Sequence, residues 1–206
     1  MVANLEAIRE AYPPQAHHAL MNLLSTHDAA RALHQFGYHD DGKDTPAAIA
    51  RAKQRLLLAV FIQMTHPGAP TIYYGDEVGV TGGDDPFNRG TYPWADEGGQ
   101  PDMALHARFK QLTALRHANP VLRRGTLLAP LHVDEHVVVF AREYQGTRAL
   151  VAINNAAEAR AVTVTLPAGW QGASFTDALS SARVTAGPRV SIALPALAGK
   201  VLIAAP

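Results

Sequence analysis

Along residues 1–121 the apolar positions recur now at helical spacing, now in short unbroken runs; along residues 122–206 they recur only at strand spacing. Leu5, Ile8 and Ala11 share a helical face, and Pro13-Pro14 stops that helix. The run "HALMNLLS", residues 18–25, is nearly continuous in apolar residues and predicts a buried parallel strand ending near Ser25. The loop "GYHDDGKD" carries turn formers, and Thr45 then reads as an N-cap with Pro46 in the first helical position. That helix should run to about Met64, burying Ile49, Leu56, Leu57, Val60, Phe61 and Met64. "APTIYYGDE" is β-branched and aromatic and predicts a second buried strand. After a long Gly/Asp/Pro loop, Asp102 caps a further helix whose inner face is Leu105, Phe109, Leu112 and Leu115, closed by Asn119-Pro120. The order is a β-α-β unit with helical flanks, expected to cross over right-handed.

Beyond Val121 the period changes. "EHVVVFAREY", "TRALVAINNA", "ARAVTVTLP" and "GKVLIAAP" predict short strands separated by Gly, Pro and Asn, with a hairpin turn at Gln145-Gly146. Strands in series without helices imply a small antiparallel β-sandwich. The expected division is residues 1–121 as an α/β segment and residues 122–206 as an all-β domain.

Composition narrows the classes. A chain of 206 residues is long enough to bury roughly 70% of its unfolded surface. Eighteen basic residues balance eighteen acidic ones, which offers no electrostatic case for nucleic acid or an anionic membrane. There is no cysteine, hence no disulfide framework and no thiolate chemistry. The first residues, "MVANLEAIREAYPP", carry charges where a signal peptide is apolar, and no apolar run approaches the ~18 residues that span a bilayer. The expectation is a soluble, cytoplasmic protein that binds neither nucleic acid nor membrane.

Three stretches carry candidate chemistry: "MNLLSTHDAAR", "GAPTIYYGDEVG" and "GGDDPFNRGTYPW". In order and spacing they resemble successive motifs of α-amylase family glycoside hydrolases, most of all the neopullulanase, cyclomaltodextrinase and maltogenic amylase group. The resemblance implies that the first motif ends strand seven of a (β/α)8 TIM barrel and the second lies on strand eight. The third then belongs to the strand-eight loop, and the β-sandwich is the family's domain C.

By that resemblance Asp28 corresponds to the third catalytic carboxylate, a transition-state stabiliser, and His27 to the histidine that contacts sugar hydroxyls. An oxocarbenium-like transition state is well served by a carboxylate and an imidazole that grip hydroxyls harder as the ring distorts. Asp85 and Arg89 match residues that hold glucose units beyond the cleavage point, a guanidinium forking well to adjacent hydroxyls. Trp94, in a loop, is a candidate for stacking on a sugar ring, whereas Tyr73 and Tyr74 read as strand aromatics of the core. Thr26 stands where the family usually has Asn or Ser, and Ala29 where it commonly has Thr.

Each residue has a plainer reading. Asp28 could cap the next helix. Asp85 and Arg89 could be a solvated ion pair of little energetic weight. His39, Asp40, Asp41 and Asp44 offer oxygen ligands for a cation, but an Asp/Gly loop does so by composition alone, so no metal or cofactor is assigned. Calcium belongs to some full-length members and has no support here.

Retaining glycosidases need a nucleophile and a general acid/base about 5 Å apart; the family takes these from strands four and five, for which this sequence has no counterpart. The chain therefore resembles the C-terminal portion of a glycosidase for α-1,4 or α-1,6 glucosidic bonds and is expected to be inactive alone. An improvised pair of Asp28 and Asp76 at neighbouring strand ends, ~5 Å apart in a sheet, is the one internal alternative. The expected ligand is an α-glucan or maltooligosaccharide in a complete enzyme, and the expected partner is a complementing N-terminal chain or a second copy. The competing classes are a non-catalytic carbohydrate-binding or assembly module and the relic of a broken gene.

Overall fold

The computed structural model describes residues 2–206. In chain order the elements begin α1 (Val2–Ala11), α2 (Pro14–Ala19), β1 (Met21–Leu23), α3 (Ala32–Gln35), α4 (Pro46–Thr65) and β2 (Ala69–Thr71). Next come α5 (Met103–Ala118), α6 (Pro120–Arg124), β3 (Thr126–Leu127), β4 (His132–Val133), β5 (Val137–Tyr144) and β6 (Thr147–Asn154). The chain closes with β7 (Arg160–Thr165), β8 (Ser174–Asp177), β9 (Arg183–Thr185), β10 (Arg189–Leu194) and β11 (Ala198–Ala204). They form two compact units: one of Met21–Met64 with Ala69–Ala114, the other of Met1–Leu20, Thr65–Gly68 and Leu115–Pro206.

In the first unit β1 and β2 pair in parallel, from Met21 opposite Ala69 to Leu23 opposite Thr71. The helix between them, α4, starts where the Thr45 hydroxyl accepts a hydrogen bond from the Ala48 amide at 3.2 Å. Its Ala52, Leu56, Val60, Phe61 and Met64 are buried, and its Gln63 amide donates to the carbonyls of Asn22 at 2.6 Å and Thr71 at 2.9 Å. One helix side chain thus satisfies a backbone acceptor on each strand. At the start of α5 the Asp102 carboxylate accepts from the Leu105 amide at 2.8 Å and lies 2.7 Å from the Lys53 ammonium.

The buried strand predicted from "HALMNLLS" differs in the structure. Only three of its residues are extended, and Met21 and Leu23 are 63% and 46% exposed. Among the described residues β1 has a strand neighbour on one edge only, so apolar content alone did not secure burial. The stretch after β2 continues as loop with single 3-10 turns at Asp76–Val78, Phe87–Arg89 and Ala95–Glu97. Gly75 and Gly79 flank the first turn at φ 87° and 84°, left-handed values that a side chain would resist.

The second unit is dominated by antiparallel strands. One sheet runs β3-β5-β6-β11-β8-β9 with β4 also on β5, and a second pairs β10 with β7. Gln145 and Gly146 close the β5–β6 hairpin with φ 49° and 81°, the double positive φ of a type I′ turn. Val162 and Val164 of β7, and Val190, Ile192 and Leu194 of β10, share one core with Val137, Val139, Ala141, Leu150, Ala152, Phe175 and Leu202 of the larger sheet. Two sheets around one apolar core make this unit a β-sandwich.

The other face of β5 and β6 is covered too. Helix α6 packs against both strands, with Val121 and Leu122 buried. Two buried guanidiniums tie this layer together: Arg142 donates to the carbonyls of Thr65 (2.9 Å), Gly125 (2.7 Å) and Leu122, and Arg116 to those of His66 (3.0 Å), Gly68 (2.6 Å) and Leu122 (2.8 Å). Among the described residues no helix is long and apolar enough to cross a membrane.

Candidate functional site

The candidate site lies in the first unit, in the loops that follow β1 and β2. After β1 the chain turns sharply: Thr26 and Ala29 form an isolated bridge, and the Asp28 amide donates to the Thr26 hydroxyl at 3.1 Å. The turn pushes His27 and Asp28 outward, with side chains 66% and 75% exposed and His27 Nε2 3.2 Å from Asp28 Oδ2. Asp28 does not cap the next helix; Arg31 occupies the N-cap position of α3, and the Ala32 amide is taken by the Ser25 hydroxyl at 2.9 Å.

The loop after β2 brings the remaining groups. Arg89 Nε lies 2.7 Å from Asp85 Oδ1, and its Nη2 reaches to 4.0 Å from Asp28 Oδ1. Asp28 is thereby an exposed acceptor between an imidazole and a guanidinium, and the guanidinium is oriented by a second carboxylate. Such a row of alternating donors and acceptors suits neighbouring hydroxyls of a polyol. Trp94 is 56% exposed, and its ring partner is Tyr92, centroids 4.4 Å apart.

Beneath the exposed groups is a buried layer that sequence reasoning did not single out. The Asn88 side-chain amide donates to the carbonyls of His27 at 2.9 Å and Ala29 at 3.0 Å, the residues on either side of Asp28. Arg31, fully buried, donates through Nε to the Asn88 carbonyl at 2.9 Å and through Nη1 to the Tyr74 carbonyl at 2.6 Å and Asp76 Oδ1 at 3.1 Å. Its guanidinium also lies over the rings of Tyr73 and Tyr74, 4.5 and 4.8 Å from their centroids. Tyr74 returns to the loop through its hydroxyl, which donates to the Gly90 carbonyl at 2.9 Å. The available signal was an arginine inside the apolar "AARAL" run and an asparagine inside "DPFNR".

Asp76 faces inward, 3% exposed, so it is no partner for Asp28 at a solvent-filled cleft. Burial pushes its pKa up, while hydrogen bonds from Ser25 and Arg31 and the Arg31 charge pull the other way. In the Asp/His loop each candidate cation ligand has a local partner: Asp44 accepts from the His39 amide at 2.7 Å, Asp41 from Lys43 Nζ at 2.9 Å and Asp40 from the Tyr38 hydroxyl at 3.0 Å. Among the described residues no three His, Cys, Asp or Glu side chains gather as a metal cage.

This geometry sits in a chain with recognisable relatives. Residues 128–201 match the family described as maltogenic amylase, C-terminal domain. The amylopullulanase of Thermoanaerobacterium saccharolyticum is 36% identical over 97% of this chain, which spans 16% of that enzyme. Neopullulanase 2 of Thermoactinomyces vulgaris is 34% identical over 88% of the chain, covering 28% of its own length. Among solved structures, the α-amylase of Geobacillus thermoleovorans in complex with acarbose superposes over all of this chain and 42% of its own, with TM-score 0.82 and 25% identity. A cyclomaltodextrinase covers 96% of the chain and 31% of itself, with TM-score 0.75 and 29% identity. Along nearly its whole length the chain is thus similar to parts of α-amylase family enzymes, with residues 128–201 matching the maltogenic amylase C-terminal domain. It spans well under a third of the length of these curated relatives.

Proposed function

We propose that this chain is the C-terminal portion of an α-amylase-type, retaining glycosidase acting on α-1,4 or α-1,6 glucosidic bonds. In this reading β1 and β2 are strands seven and eight of a (β/α)8 barrel within residues 1–121, and residues 122–206 are domain C. Asp28 is the transition-state-stabilising carboxylate; His27, Asp85 and Arg89 hold glucose hydroxyls, and Trp94 offers a stacking face. The observation that carries the reading is the convergence of Asp28, His27, Arg89 and Asp85 on one exposed patch beyond two adjacent parallel strands. Barrel enzymes build their sites at that end of the strands.

Chemistry by this route needs a nucleophile and a general acid beside Asp28. Asp85 is engaged by Arg89 and Asp76 is buried against Arg31, so neither serves. The two further carboxylates are assigned to barrel strands encoded outside these 206 residues, in keeping with the small share of each relative that the chain spans. The chain alone should bind maltooligosaccharide weakly and turn over neither pullulan, cyclodextrin nor maltotriose above blank. Maltotriose titration of the chain and of Arg89→Ala tests the site: binding lost in the variant supports it, and equal binding removes it. Hydrolysis by the isolated chain that Asp28→Asn abolishes would overturn the assignment of the other two carboxylates.

A further inference from the structure

The exposed pair His27–Asp28 cannot hold its own direction. Both side chains are mostly exposed, their polar neighbours are each other and the half-exposed Arg89, and within the turn the Thr26 hydroxyl accepts from the Asp28 amide. A solvated carboxylate on a free turn samples several rotamers and backbone states, so something buried must set where it points.

We infer that Asn88 is the positioning residue of the Asp28 loop, with Arg31 as the anchor behind it. The Asn88 amide has two N–H donors, and they go to the carbonyls that bracket Asp28 in the chain, at 2.9 and 3.0 Å. Asn88 is wholly buried, so these bonds do not compete with water. Its own carbonyl is held by Arg31 Nε at 2.9 Å, and the Arg31 amide donates to the Gly82 carbonyl at 3.0 Å. The post-β2 loop therefore grips the post-β1 turn from below, with Asn88 as the bridge. A Cβ on Gly82 would stand 2.1 Å from the Phe87 carbonyl oxygen, so this close approach of backbone to backbone is part of the same clamp. Asn88 touches no reacting group. It sets the direction of the groups that do.

The inference rests on the glycosidase reading only for what Asp28 then grips; the clamp itself stands on geometry and is tested separately. In the native chain, hydrogen exchange and NMR should show the Asn88 side-chain amide protons protected, with scalar coupling to the His27 and Ala29 carbonyls. Asn88→Ala should speed exchange at the Asp28 and Ala29 amides by about tenfold or more and move the Asp28 carboxyl and His27 ring resonances. Asn88→Asp, which keeps the shape but turns acceptors toward two carbonyls, should not restore them. Asp102→Ala, a loss of a helix cap elsewhere, serves as the control that lowers stability without moving these resonances. Maltotriose affinity should fall about tenfold in Asn88→Ala, as expected for losing one oriented charged contact. Unprotected Asn88 side-chain protons in the native chain, or unmoved Asp28 resonances in the alanine variant, would overturn the clamp. A native chain that ignores maltotriose would sink the sugar reading while leaving the exchange result to decide the clamp.

Discussion

Arg31 Nη1 lies 3.1 Å from Asp76 Oδ1, with the two side chains 0% and 4% exposed. Removing one member of a buried ion pair leaves the other charged and dry, a loss of about 3–5 kcal/mol. Asp76→Ala should cost that much in urea unfolding, and Asp76→Asn markedly less because the amide oxygen still accepts from Arg31. Equal losses for the two variants would mean that the charge on Asp76, and not the hydrogen bond the amide retains, carries the whole effect.

Gly82 is held to a hydrogen atom by its surroundings rather than by its dihedral angles. Any Cβ there meets the Phe87 carbonyl oxygen at 2.1 Å and its carbon at 2.7 Å, both backbone atoms. Gly82→Ala should therefore displace the 87–89 turn and lower stability by about 1–3 kcal/mol, read as a lower melting temperature. An unshifted melting temperature would show that the loop yields freely.

His66 gives the second unit an acid-sensitive point. Its pKa is lowered to about 4, first by burial and then by the charges of His17 and Arg142, against the favourable Pro67 carbonyl. The His17 ring stands edge-on, 5.8 Å away, and its pKa is lowered for the same first reason. The folded state therefore binds fewer protons than the unfolded chain between about pH 4 and 6.5, and stability rises with pH across that window. It is fully present above pH ~6.5 and is lost as pH falls toward 4, by at most about 3 kcal/mol for His66. His66→Gln should flatten the acid limb of a melting-temperature profile; an unchanged limb would place the sensitivity elsewhere.

Arg142 serves three carbonyls at once: those of Thr65, Leu122 and Gly125. Burial and the neighbouring Arg116 push its pKa down to about 9, still well above neutrality. Arg142→Met keeps the bulk but removes the guanidinium donors from the Thr65 and Gly125 carbonyls and leaves that of Leu122 to Arg116, for an expected loss of about 3 kcal/mol by denaturant titration. Wild-type stability in that variant would mean that water reaches those carbonyls.

Legibility in the sequence followed the range of the forces involved. Thr45, Pro46 and Asp102 marked helix starts because a cap acts over three residues, and Gln145-Gly146 marked the hairpin because a tight turn needs two left-handed residues in a row. The short strands β3, β4, β8 and β9 went unmarked, since two to four residues carry too little period to be read; β10, six residues in strict alternation, was missed as well although its period was legible. Asp76 looked like a strand-end acid; its burial comes from Arg31, 45 residues away in the chain.

The residues alone decided that the chain has a helix-rich and a strand-rich part and where its caps and main hairpin fall; the resemblance of three motifs made His27, Asp28, Asp85 and Arg89 candidates. Only the tertiary structure decided that Arg31 and Asn88 lie beneath them and that Met21 and Leu23 stay in solvent. Capping, turns and periodicity are settled within a few positions. The Arg31–Asn88 and Asn88–His27 bonds join groups 57 and 61 positions apart, and such partners exist only once the chain has brought both loops together.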